Sequence, residues 1–301
     1  MKCAKCKQAA VFLSPTLCKK HFLVYVEKKV AATIKKYKLV TKKDKVVVAV
    51  SGGKDSLTIL YLLRKYTKNI VALCIDEGIA GYRATTIEDM KRFCEKYDVQ
   101  YHIVSYKEEV KYSLDEMKVL LKEKPCTICG AFRRYFLNKK ARELGATKLV
   151  TGHNMDDESQ AIVMNLLRHQ PDILPRLGPM TGAIKDSKFI PRVKPLYFLS
   201  EKEIAAYALL QDFGIHFTEC PNVVHAYRAG VGDLLNTMEK QYPGTKERVV
   251  KQFVAQLPKI RKKFMHEEKV EHCQSCGEPS AGSVCKACQL LVKIKETGKV
   301  A

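Results

Sequence analysis

Lys45-Val46-Val47-Val48-Ala49-Val50-Ser51-Gly52-Gly53-Lys54-Asp55-Ser56 is the stretch that decides the fold. After Lys45 it runs apolar and rich in β-branched residues, the composition of a strand covered on both faces. A glycine-rich turn follows, and Leu57–Lys65 continues with helical spacing. A strand that passes through glycines into a helix is built to hold an anion. Gly52 and Gly53 let backbone N–H groups approach it, and the helix presents its positive end. The Ser51 and Ser56 hydroxyls can donate, while Lys54 adds a point charge. The pattern G-x-x-x-x-G-K followed by Ser or Thr is absent, so the loop is not of the Walker type.

Working outward, extended and helical patterns alternate. Ile70–Ile75 reads as a second strand, Thr85–Tyr97 as a helix and Gln100–Val104 as extended. Gly130–Leu144 reads as a helix and Lys148–Thr151 as a short strand. Asp156–Leu167 reads as a helix with Ile162, Val163, Leu166 and Leu167 along its apolar side. Ser200–Phe213 reads as an amphipathic helix opened by a Ser200-x-x-Glu203 capping box. This alternation predicts an α/β fold with a Rossmann-like parallel sheet covered on both faces by helices. Gln170–Pro195, rich in Pro and Gly, reads as a long loop, and the chain after Pro221 as basic and mostly helical. There is no internal repeat. The expected division is 1–25, 26–220, 221–268 and 269–301.

The outer segments are set apart by cysteine. Cys3-x-x-Cys6 is followed by Cys18-x-x-His21, and Cys273-x-x-Cys276 by Cys285-x-x-Cys288. Each group offers four N/S ligands as two close pairs, the requirement of tetrahedral zinc, so two Zn²⁺ ions are expected. Neither segment holds enough apolar residues to fold alone, so metal would supply much of its folding energy. Cys74 and Cys94 stand alone in apolar or helical surroundings and read as small buried hydrophobes. The remaining three, Cys126, Cys129 and Cys220, form a C-x-x-C with a distant third thiol. Three thiolates can hold a 4Fe–4S cluster and leave one iron open to hydrosulfide; a persulfide relay needs only two.

Ser51–Ser56 closely resembles the S-G-G-x-D-S loop of the N-type ATP pyrophosphatases, which cleave ATP between its α- and β-phosphates. Gly152-His153-Asn154-x-Asp156-Asp157-Glu158 extends the resemblance at the end of a later strand, where ligands of open α/β sheets collect. Asp156 and Asp157 could hold Mg²⁺ there or serve as plain helix caps. Asp76, ending the second strand, is a further candidate near the nucleotide. The full order of knuckle, loop, C-x-x-C-G, G-H-x-x-D-D, lone Cys and second knuckle resembles the tRNA 2-thiouridine synthetases of the TtuA/NcsA type. The resemblance covers essentially the whole chain. It implies the PP-loop ATP pyrophosphatase fold, a 4Fe–4S cluster on Cys126, Cys129 and Cys220, and ATP with Mg²⁺ on Ser51, Gly52, Gly53, Lys54, Asp55, Ser56, Asp76, Gly152 and Asp156. It places catalytic roles on Asp55, Arg133, Asp157, Cys129 and Cys220. It also implies a homodimer and, as sulfur donor, a ubiquitin-like carrier thiocarboxylate or sulfide. The string Cys129-Gly130-Ala131-Phe132-Arg133-Arg134 looks more like the branch acting on the wobble uridine 34 than the one acting on uridine 54, where Lys stands in place of Arg133.

Composition agrees with an RNA substrate. Fifty-three Lys and Arg against thirty-two Asp and Glu leave +21 over 301 residues, which favours a polyanionic partner such as tRNA. No apolar run reaches the roughly 18 residues of a membrane span, and the first residues carry no signal-peptide pattern, so a cytoplasmic protein is expected. Anticodon-loop cytidine thiolation shares the loop and the three cysteines but usually lacks the terminal knuckles. A lysidine synthetase or an amide-forming pyrophosphatase has no need of the three thiols. A zinc-knuckle RNA-binding protein would have no use for an intact Lys54, Asp55 and Asp157.

Overall fold

The computed structural model describes residues 1–181, 186–223, 226–264 and 270–297. A hairpin of β1 (Phe12–Leu13) and β2 (Thr16–Leu17) leads into α1 (Lys19–Tyr37). Then come β3 (Val46–Ala49), α2 (Lys54–Leu63), β4 (Ile70–Asp76), α3 (Arg83–Lys96) and β5 (Gln100–Ser105). Next are α4 (Tyr106–Val110), α5 (Leu114–Leu121), α6 (Pro125–Glu143), β6 (Lys148–Thr151) and α7 (Met155–Leu167). The short β7 (Met180–Thr181) and β8 (Arg192–Val193) precede α8 (Glu201–Leu210), α9 (Tyr227–Gln241) and α10 (Thr245–Phe264). A second hairpin, β9 (Glu271–His272) and β10 (Pro279–Ser280), leads into α11 (Lys286–Thr297). No helix among the described residues is long and apolar enough to cross a membrane.

The central sheet has the order β5-β4-β3-β6-β8-β7, parallel except for β7 at the edge. β3 lies in the middle, with Val46 opposite Ile70 of β4 on one side and Lys148 of β6 on the other. Alternation along β3 sorts the two cores. Val46 and Val48 face a cluster with Phe22, Val26, Val30 and Leu60, whereas Val47 faces Phe132, Phe136 and Leu290. Successive crossovers from β3 run to opposite sides of the sheet, so a crevice opens at the C-terminal ends of β3 and β6. The phosphate loop and the Gly152–Asp157 segment both fall there.

The outermost helices are part of these cores. Phe22, Val26, Val30 and Ile34 of α1, spaced by four, are buried together with Leu17 and Cys18 of the first knuckle. Ala287, Leu290 and Ile294 of α11 are buried on the other face, against α5 and α6. Both knuckles are thus seated on the α/β core, an anchorage that their own few apolar residues do not reveal.

Several elements depart from the sequence reading. The helix expected from Gly130 starts at Pro125, which is tolerated at the first helical position because its missing N–H has no partner there anyway. The segment read as a loop over Gln170–Pro195 supplies β7 and β8; two-residue strands leave no periodicity to read. α4 and α5 were not expected, although α5 carries a Ser113/Glu116 capping box. On α7, Ile162 is buried, but Leu166 and Leu167 are 59% and 60% exposed, because α9 and α10 cover only its other side. The Ser200/Glu203 capping box of α8 is present, and Cys74 and Cys94 are buried. The boundary expected at 268 and 269 lies outside the described residues.

Candidate active site

The phosphate loop is organised by its own serines. Ser56 Oγ accepts from the Ser51 N–H at 3.1 Å and donates to Gly53 O at 3.0 Å. Gly53 is the N-cap of α2 and has no side chain to fill the helix end, so the first-turn N–H groups stay open to the crevice. Gly52 has φ +87°, and a Cβ there would lie 1.9 Å from Thr86 O, so only glycine lets α3 press against the loop. Lys54 Nζ is 3.1 Å from Asp55 Oδ2 and 2.8 Å from Glu201 Oε1. Its pKa is raised: burial opposes the charge, but Asp55 and Glu201 outweigh it.

Across the crevice, α7 begins with a capping box. Asn154 Oδ1 accepts from the N–H groups of Asp156 and Asp157, and Asp157 Oδ2 accepts from the Asn154 N–H at 3.1 Å. Asn154 Nδ2 then donates to Asp55 Oδ1 at 2.9 Å, joining the cap to the loop. Burial, reinforced by the Asp157 charge, holds the Asp55 carboxyl above its ordinary pKa despite Lys54 and Asn154. A divalent cation between the two side chains would relieve the cost of ionising the buried Asp55 beside Asp157. Asp156 points elsewhere: Oδ1 pairs with Lys246 of α10 and Oδ2 accepts from the Glu201 N–H at 2.8 Å. It knits α7, α8 and α10 together, with both carboxylate oxygens engaged away from the loop. Asp76 Oδ1 accepts from the Gly78 N–H at 2.9 Å and holds the turn after β4.

His153 stands beside this carboxylate pair, its Nδ1 2.8 Å from Thr151 Oγ1. The residue is exposed at the crevice surface, with protein crowding the ring on its other sides. Loss of surrounding water holds its pKa down to about 4, with Lys194, Arg228 and Arg192 assisting and Asp157 opposing.

The three central cysteines share one corner. Cys126 and Cys129, three apart in the first turns of α6, lie on one helix face. Cys126 is exposed and Cys129 buried. Asn222 spans the gap to the third thiol, with its carbonyl 3.7 Å from Cys126 Sγ and its Nδ2 4.0 Å from Cys220 Sγ. Arg133 Nη2 donates to Cys129 Sγ at 3.0 Å and lies 2.9 Å from Glu77 Oε1. Burial raises the Cys129 thiol above its usual pKa, and Arg133 pulls only partly the other way. Three thiols on two walls, one beside a guanidinium, fit a cluster held by three thiolates.

The terminal groups are compact. Cys3, Cys6, Cys18 and His21 offer ligand atoms all within 4.8 Å of one another, as do Cys273, Cys276, Cys285 and Cys288. Cys6 and Cys18 sulfurs are 3.7 Å apart, and those of Cys276 and Cys285 are 3.8 Å apart. That is close to the ~3.8 Å edge of a tetrahedron with Zn–S bonds of about 2.3 Å. Both groups can therefore hold a metal ion.

The sequence reading did not single out Glu77, Arg83, Arg228 or Lys246. Asn154 could have been found as the cap of a capping box with Asp157, and Glu77 as the neighbour of Asp76 at a strand end. Arg83 and Lys246 gave no signal, because their roles depend on contacts far along the chain. Arg83 Nη1 donates to Ser51 O at 2.7 Å, and Arg228 Nη2 to Asp157 O at 3.0 Å. Arg261, in the basic last turn of α10, turns inward and donates to Pro175 O at 3.1 Å.

Sheet order, open helix end and facing carboxylates define an ATP-binding α/β domain. The family described as PP-loop domain matches residues 23–224. A curated relative, the tRNA-5-methyluridine(54) 2-sulfurtransferase of Pyrococcus horikoshii, is 37% identical over 98% of this chain and 95% of its own. The tRNA 2-thiolation protein NcsA of Haloferax volcanii is 34% identical over 98% of this chain and 99% of its own. Among solved structures, the U34-tRNA thiolase NcsA from Methanococcus maripaludis, with its 4Fe–4S cluster, superposes with a TM-score of 0.82. It is 33% identical and the match covers 96% of this chain and 95% of that one. The chain belongs to the PP-loop family and, within it, to the branch of tRNA 2-thiolation proteins that these relatives represent.

Proposed function

We propose that this protein is an ATP-dependent tRNA 2-sulfurtransferase acting on the wobble uridine. The observation that carries the reading is the junction of two sites: a phosphate loop whose Asp55 is tied to the Asn154–Asp157 cap, and a wall bearing Cys129 and Arg133 that reaches the loop through Glu77 and Arg83. The C2 carbonyl of uridine is a poor electrophile because its oxygen is a poor leaving group. Attack of that oxygen on the α-phosphorus of ATP expels pyrophosphate and turns the oxygen into part of AMP. Sulfide then adds at C2, the C2–O bond breaks, and AMP departs with the oxygen.

Lys54 and the open N–H groups of α2 stabilise phosphate charge, and Asp55 with Asp157 would hold Mg²⁺. Arg133 offsets negative charge gathering near Cys129. Cys126, Cys129 and Cys220 would hold a 4Fe–4S cluster, which would supply sulfur at the sulfide level. The terminal groups would hold zinc, and the basic exterior would dock the tRNA backbone. We propose a ubiquitin-like carrier thiocarboxylate or inorganic sulfide as the sulfur source, with the working form a cytoplasmic homodimer. Position 54 is the second reading, favoured by the printed name of the Pyrococcus relative; Arg133 in C-G-A-F-R-R favours position 34.

The test is anaerobic purification of wild type and Cys126→Ala, with iron, acid-labile sulfide and zinc measured together. About four irons and about two zincs per chain are expected, with iron lost in the variant. Digestion of tRNA after incubation with ATP and sulfide, followed by mass spectrometry, locates the 2-thiouridine. Full thiolation with zinc alone removes the cluster from the chemistry and leaves sulfide to attack C2 directly. No thiolation by the loaded protein overturns the reading.

A further inference from the structure

Two buried side chains outside every motif connect the sulfur corner to the phosphate loop. Glu77 and Arg83 have side-chain exposures of 5% and 4%, with Arg83 Nε 2.6 Å from Glu77 Oε2. A buried pair of this kind is costly to desolvate, and as a local prop it would need nothing more. Both members reach further. Glu77 Oε1 is 2.9 Å from Arg133 Nη2, the guanidinium that donates to Cys129 Sγ. Arg83 Nη1 donates to Ser51 O at 2.7 Å and to Thr86 Oγ1 at 2.9 Å, and Thr86 is the residue packed on Gly52. An unbroken run of contacts therefore leads from the Cys129 sulfur, through two guanidinium groups and one carboxylate, to the backbone of the phosphate loop.

We propose that Glu77 and Arg83 are positioning residues that couple the placement of Arg133 to the shape of the phosphate loop. The inference rests on the sulfurtransferase reading for its purpose, though not for its test. Arg83 and Arg133 carry like charges, and Glu77 lets both stand in one place. They are held unequally. Arg83 also donates to Cys74 Sγ at 2.9 Å and to Ile75 O at 3.1 Å, whereas the Arg133 side chain is 49% exposed. When Arg133 shifts, Glu77 is the group that must redistribute its charge, and Arg83 passes the change to Ser51. Contact alone does not establish coupling between sites; non-additivity does.

The experiment is a double-mutant cycle on ATP binding, read by calorimetry with a non-hydrolysable ATP analogue and no tRNA. Wild type, Arg133→Met, Glu77→Gln and the double variant are compared at matched iron content, with a thermal midpoint for each. Arg133→Met is expected to change the Kd at least about fivefold when Glu77 is present and less than about twofold in the Glu77→Gln background. Equal effects of Arg133→Met in both backgrounds overturn the proposal, since a merely structural pair moves the thermal midpoint but leaves Kd effects additive. If Glu77→Gln does not fold, Arg83→Lys replaces it: lysine lacks the fork that reaches Ser51 O and Glu77 together, and the same non-additivity is expected. A wild type that binds the analogue but thiolates no tRNA defeats the functional reading and leaves the cycle to decide this one. A wild type that does not bind the analogue overturns both.

Discussion

A methyl group at position 152 would sit 2.9 Å from the carbonyl carbon of Asp55 and from the nitrogen of Ser56. Both are backbone atoms at the start of α2, so they cannot swing aside. Gly152→Ala is expected to push the phosphate loop away from Asn154 and Asp157. The expected cost is about 1–3 kcal/mol of stability in chemical denaturation, with a larger proportional loss in AMP formation. Its neighbour His153 gives a pH prediction. Its pKa is about 4 in the folded chain, against an ordinary 6.5. Between those values the unfolded chain binds a proton that the folded one refuses, so this contribution to stability is full above 6.5 and is lost as pH falls toward 4. His153→Gln should flatten the dependence of unfolding free energy on pH across that window; unchanged dependence would show a freely titrating ring. The glycines, Lys54 and the acids were legible at this scale because their types and spacing are local. Arg83 and Asn222 were not, because an ordinary residue type becomes functional only through what lies opposite it.

Among the elements, α7 shows how a helix start can serve two neighbours. Asp157 caps it and faces the loop, while Asp156 beside it is buried against Lys246 with side-chain exposures of 11% and 7%. Lys246→Met strands the Asp156 carboxylate and is expected to cost about 3–5 kcal/mol, read from denaturant midpoints. Adding Asp156→Asn should recover part of the loss; a double variant no more stable than the single one would place the cost elsewhere. β3 and β6 could be read from the sequence because strands buried on both faces are continuous apolar runs. β7 and β8 could not, since two residues define no period. The helical spacing becomes readable only from Gly130, because Cys126 and Cys129 break the apolar pattern that follows Pro125.

In the whole molecule, the first and last knuckles sit on opposite faces of one sheet: Leu17 and Cys18 on the α1 side, Leu290 and Ile294 on the α11 side. Cys273→Ala is therefore expected to lower the thermal midpoint of the entire α/β domain, with loss of about one zinc, and not merely loosen a tail. Unchanged melting with one zinc missing would show the last module to be an independent appendage. This arrangement also bears on synthesis. A ribosome delivers the C-x-x-C of α6 well before α11, which lies over the same face. Until α11 emerges, the nascent chain displays Phe132, Phe136 and their neighbours without their outer cover, while the opposite face, closed by α1, can already be complete. A stop codon ahead of α11 thus leaves an open apolar seam, and such a product is destined for aggregation or degradation, not for partial activity.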